Sequence, residues 1–75
     1  MKPFERYFKI KEELKGCSYN EAALSQYLHI AQVLAEEEKA YKRHREHMLQ
    51  WLATIEQTIY QSAERARECL LQNEN

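Results

Sequence analysis

At 75 residues and a net charge of -1, the chain is long enough for one domain. It is too short to bury a large core without a partner chain, a metal or a crosslink. One glycine and one proline exclude sheet-rich and turn-rich folds, and a 31% charged content so closely balanced does not favour a polyanion or a membrane surface as partner.

Ala, Leu, Glu, Gln, Lys and Arg dominate the composition, which predicts an all-α protein, a single helical domain over residues 1–75. No apolar run approaches the ~20 residues of a membrane-crossing helix, and the opening MKPFERYFKIKEEL is too charged for an export signal. Cys17 and Cys69 lack the spacing of a metal site and read as two reduced thiols, so the expected location is cytoplasmic.

Pro3 suits the first position of a helix, where a missing N–H costs nothing. Phe4, Tyr7, Phe8, Lys11 and Leu14 follow at three- and four-residue spacing with Ile10 on the flank, predicting an amphipathic helix over about 3–15. Gly16 can take the left-handed conformation cheaply and marks a tight turn at 16–18. Ser18 with Glu21 three residues on is a capping box, so the next helix is expected from Tyr19.

From there to Leu71 there is neither Gly nor Pro. Tyr27, Leu34, Tyr41, Met48 and Ile55 recur every seven residues, beside a second row of Leu24, Ala31, Glu38, Arg45, Leu52, Ile59 and Ala66. This is an a/d seam that turns polar only at its centre. Residues 72–75 are expected to fray.

The charged centre, Ala35 to Met48, decides the architecture. Its residues are good helix formers, and none is turn chemistry. A break near Lys39 would leave Glu36, Glu37 and Glu38 at a helix C-terminus and Lys42, Arg43 and Arg45 at the next N-terminus, both against the helix dipole. Within one helix Glu38 and Lys42 form a supportive pair. The expectation is therefore one long helix over about 19–71, with a three-helix bundle broken near 36–41 as the alternative.

A helix of that length spans roughly 80 Å and cannot be globular alone. Antiparallel pairing about Tyr41 places Tyr27 opposite Ile55, Leu34 opposite Met48, and Glu37 near Arg45 of a second chain. The expected assembly is an antiparallel coiled-coil-like homodimer, its interface formed by Tyr27, Leu34, Tyr41, Met48, Leu52, Ile55, Glu37 and Arg45. Phe4, Tyr7 and Phe8 of the first helix would cover Tyr27, Ile30 and the second chain's counterparts of Trp51 and Ile55.

His44 and His47, three apart, could share a helix face with a partner's Glu37 or Glu38 around a metal, but two histidines read first as a solvated charged face. His29 reads as a boundary residue. Lys39, Lys42, Arg43, Arg45 and Tyr41 resemble a basic patch with an aromatic; the adjacent triple glutamate argues against it, and a nucleic-acid-associated regulator using 39–47 is the alternative function. No nucleophile–base spacing or phosphate loop appears, so no catalytic, metal or cofactor residue is expected. Trp51, Tyr60 and Tyr19 are the candidates for contact with another protein, although core packing is the plainer role for Trp51. The leading reading is a helical interaction module. In length, composition and amphipathicity the chain resembles the small helical co-chaperones of bacterial secretion systems, and equally small regulators of phages and plasmids. That resemblance carries over no functional residue.

Overall fold

The computed structural model describes residues 2–36 and 42–73. It is all-helical over these residues: α1 is Pro3–Glu13, α2 is Glu21–Glu36 and α3 is Lys42–Asn73. The single helix expected over 19–71 is thus two helices, and their packing shows the chain reversing between them. The Asn20 N–H donates to Ser62 Oγ at 2.8 Å, and Arg45 Nη1 donates to the Leu34 carbonyl at 3.0 Å. The start of α2 therefore lies beside the later part of α3, and the end of α2 beside its beginning.

The physical reason is burial. A lone long helix leaves its whole seam in water, whereas folding α3 back on α2 removes the seam at about 25 cal/mol per Å² of apolar surface. That outweighs end charges worth about 0.3–1 kcal/mol each. Of the expected interface residues, Tyr27, Leu34, Met48, Leu52 and Ile55 are buried in this one-chain core with Leu24, Ile30, Ile59 and Ala63. Apolar residues expected at an interface between two chains are thus buried together within one. Glu37, Glu38, Lys39 and Tyr41 lie outside the described residues.

α1 packs against α2 and reaches α3 through side chains, Arg6 to Glu56 and Tyr60 to Glu13. Its buried stripe is Tyr7, Ile10 and Leu14: Tyr7 and Leu14 of the expected Phe4–Tyr7–Phe8–Lys11–Leu14 face are buried, while Ile10, expected on the flank, is the centre and Phe8 and Lys11 are exposed. Three- and four-residue spacing suits either set, and docking on α2 selects the one centred on Ile10, whose side chain is wholly enclosed. Phe8 is left 61% exposed, its ring edge-on to Tyr7 at 5.2 Å. α1 ends two residues short of expectation, and Gly16 takes φ +82 in the turn as its sequence position demands.

The cap of α2 also differs. Asn20 Oδ1 accepts from the Ala23 N–H at 3.1 Å and the Asn20 carbonyl accepts from Leu24. Asn20 is the N-cap, two residues beyond the expected Ser18. The Asn20 N–H, one of the donors left without an intrahelical partner at the helix start, is satisfied by Ser62 Oγ of α3.

α3, with 32 residues against 16 in α2, is about twice as long and outruns the bundle. Among the described residues its last buried side chain is Ala63; Leu70 and Leu71 stand in solvent on the overhang. The molecule measures 54 × 19 × 19 Å with a radius of gyration of 14.5 Å, against about 11 Å for a compact chain of this length. α3 continues to Asn73, past the expected fraying point at 72; residues 74 and 75 are outside the described range. Among the described residues no helix is long and apolar enough to cross a membrane.

The cap assignment predicts that Asn20→Ala lowers unfolding free energy by about 1 kcal/mol while Ser18→Ala changes it by less than about 0.5 kcal/mol. Urea titration of the two variants checks this, and the reverse order would restore Ser18 as the cap.

Candidate functional site

On α3 the buried seam of Met48, Leu52, Ile55 and Ile59 has two flanks, set by the 3.6-residue period. One flank turns toward α1. There Arg6 Nε donates to Glu56 Oε1 at 2.7 Å, its Nη2 donates to the same oxygen, and the Tyr60 hydroxyl donates to Glu13 Oε2. These bonds clasp α1 to α3 across 50 and 47 residues of sequence. Burial, then the bond to Glu13, push the Tyr60 phenol up to about 12. Burial, then the Glu56 charge, also raise Tyr27 beneath the clasp.

The other flank faces away from α1. Asn20, Ala22, Ala23 and Gln26 of α2 line it with Ile55 and Thr58 of α3, and His47, Gln50, Trp51 and Thr54 continue it along α3. None of these is Asp, Glu, Lys or Arg, in a chain that is 31% charged. The Thr54 and Thr58 hydroxyls donate to the Gln50 and Thr54 carbonyls, each at 3.2 Å, so both are turned back on their own helix. Trp51 stands at the middle of this flank and is 47% exposed. Its side chain is therefore not part of the core, contrary to the plainer sequence reading.

The expected partner-facing residues separate on this geometry. Tyr60 is half-buried with its hydroxyl committed to Glu13, and Tyr19 is half-buried against the core near the turn. Trp51 alone of the three offers a large free apolar surface. Comparison with protein-family models, with characterised proteins and with solved structures finds no match. The site therefore rests on its own geometry.

The basic segment is divided. Arg45 is half-buried and turned in to the Leu34 carbonyl, where it caps the end of α2, while Lys42 and Arg43 are exposed. Lys39 and Tyr41 lie outside the described residues. His44 and His47 are exposed on α3. Among the described residues no three His, Cys, Asp or Glu side chains stand where they could share an ion. His29 is exposed at the edge of α2, as its place beside the stripe suggests.

Sequence reasoning missed the clasp and the Ser62 tether. Arg6, Glu13, Glu56 and Tyr60 belong to helices whose relative placement no local pattern encodes. Asn20 was visible as a preferred capping residue three positions before Ala23, but the Ser18–Glu21 box competed with it.

The raised tyrosines give a pH dependence with a definite sign. A phenol whose pKa is higher in the folded state than its ordinary value near 10 stabilises the fold fully below that value. The contribution is lost as pH rises toward the folded value, about 12 for Tyr60. The thermal midpoint should fall between pH 10 and about 12, and Tyr60→Phe should fall less steeply over that window. Equal slopes for the two proteins would rule Tyr60 out as a cause.

Proposed function

We propose that the chain is a non-enzymatic helical protein–protein interaction module, a small adaptor, regulator or chaperone-like protein of the cytoplasm that works as a homodimer. The observation that carries this reading is the half-exposed Trp51 on an uncharged flank of the α2–α3 pair. Tryptophan is the residue most enriched where binding energy concentrates, and a strip without formal charge can be covered by an apolar helix without stranding an ion. The open flank is the position a fourth helix takes in a helical bundle, so bundle completion is the mode of contact.

Several further features support the reading. The free thiols of Cys17 and Cys69 suit a reducing compartment. The described core leaves a small stability margin at this chain length, which favours function in an assembly. Tyr19, next to Asn20 at the start of α2, would then act at the edge of the contact, while Tyr60 lies on the α1-facing flank away from it.

Trp51→Gln should keep helix content and shift the thermal midpoint by only a few degrees, because the side chain is not in the core. The same change should remove most capture of the partner protein by the tagged chain from its native host. Undiminished capture of the same partner by the variant would overturn the assignment of Trp51 as the contact residue.

A further inference from the structure

Of the buried residues of α2, Leu24 with Ala31 and Tyr27 with Leu34 share a heptad phase with Leu52, Ile59, Met48 and Ile55 of α3; Ala23 and Ile30 of α2 and Ala63 of α3 lie outside these rows. Leu34 and Met48 are two whole heptads apart, and Ala31 and Leu52 are three. A hairpin has no use for this agreement. Each helix of a hairpin can present any phase to the other, because the connection absorbs the difference. An unbroken helix needs the agreement, since only then do both halves keep their apolar rows on one seam.

The charges at the reversal point the same way. α2 ends on Glu36 with no basic residue in its last turn, and α3 opens with Lys42, Arg43 and Arg45 with no acidic residue in its first turn. Both ends oppose the helix dipole, and both oppositions vanish when the helix does not end. Between them the sequence reads Glu37, Glu38, Lys39, Ala40 and Tyr41, without Gly, Pro, Asn, Asp or Ser.

We infer that the partner in the dimer is a second copy that exchanges its α1–α2 unit with the first. In the exchanged form the chain runs from α2 into α3 as one helix, and α1–α2 of each copy docks on α3 of the other. This inference rests on the dimer reading above and adds the surface it uses. That surface is already built: it is the apolar seam now closed within one chain, with its mirror supplied by the two-fold axis. The described polar links from α1 and the start of α2 to α3 are all kept, now between copies: Arg6 to Glu56, Tyr60 to Glu13, and Asn20 to Ser62. The bond from Arg45 to the Leu34 carbonyl, made in the hairpin, gives way to an intrahelical N–H, and Arg45 lies where the acidic residues of the second copy approach across the axis. Exchange thus conserves the packing and relieves the unfavourable ends, leaving chain entropy as the main opposing cost at low concentration.

The test combines mass with distance. Labels are placed through Ser25→Cys and Gln57→Cys, both exposed, in a chain where Cys17→Ser and Cys69→Ser remove the native thiols. The doubly labelled chain is diluted into excess unlabelled chain at tens to hundreds of micromolar. Sedimentation equilibrium gives the mass, and pulsed electron–electron resonance gives the distance within a chain. Exchange predicts a dimer with an intrachain separation of about 48 Å, whereas the hairpin keeps the labels near the 19 Å width of the bundle. Lys39→Asn with Ala40→Gly, which supplies turn residues, should weaken the dimer at least tenfold and keep helix content and core packing. A dimer with only the short distance overturns exchange and leaves the dimer reading standing through another face. A monomer throughout the concentration range overturns both.

Discussion

Everything in this molecule depends on covering one apolar seam. Leu24, Tyr27, Ile30, Ala31 and Leu34 form a surface that α2 cannot leave in water, and Met48, Leu52, Ile55 and Ile59 form its match on α3. Isolated helices of sixteen residues are marginal in water, so α2 exists as a helix largely because this surface is buried. The remaining structure follows from that requirement. α1 closes one side of the pair with Tyr7, Ile10 and Leu14, and is held by the Arg6–Glu56 and Tyr60–Glu13 links. The other side is left open, and Trp51 stands on it.

The division between the two flanks of α3 gives the molecule its functional polarity. The α1-facing flank spends its polar groups internally, and its ion pair is partly solvent-exposed, so its contribution to stability is modest and its effect is chiefly to fix where α1 lies. The opposite flank has no such partner and no formal charge. A small helical protein normally covers its solvent faces with Lys and Glu, as α1 does with Lys9, Lys11, Glu12 and Glu13. Their absence along Asn20–Gln26 and His47–Thr58, apart from Glu56 on the far flank and Glu21 at the helix start, is what marks the open face as a contact surface.

Much of this was legible in the residues. The helical class, the first helix, the Gly16 turn and the buried seam residues Leu24, Tyr27, Ala31, Leu34, Met48, Leu52, Ile55 and Ile59 follow from propensity, spacing and one glycine; the burial of Ala23, Ile30 and Ala63 does not. The seven-residue period marked which residues form the apolar stripes of both helices, but not which residue of one faces which residue of the other. Nor does the period encode whether the stripes belong to one chain or two. Leu34 and Met48 meet equally well across a reversal or across a two-fold axis, and the local charge order favoured the second. The rotation of α1 and the exposure of Trp51 were not legible, since both depend on which side of the α2–α3 pair the first helix chooses. The cap lies at Asn20 rather than Ser18, with Asn20 Oδ1 accepting from the Ala23 N–H and the Asn20 N–H met across the bundle by Ser62.

Burial of the seam, more than the connection between α2 and α3, determines the fold. The most direct test is the set of methyl contacts across the seam, measured by nuclear Overhauser effects on the full chain. Contacts from Leu24 to Ile59, Ala23 to Ile55 and Leu34 to Met48 are expected together. Their absence in a chain that is still helical, or a set shifted by a turn of helix, would contradict the account.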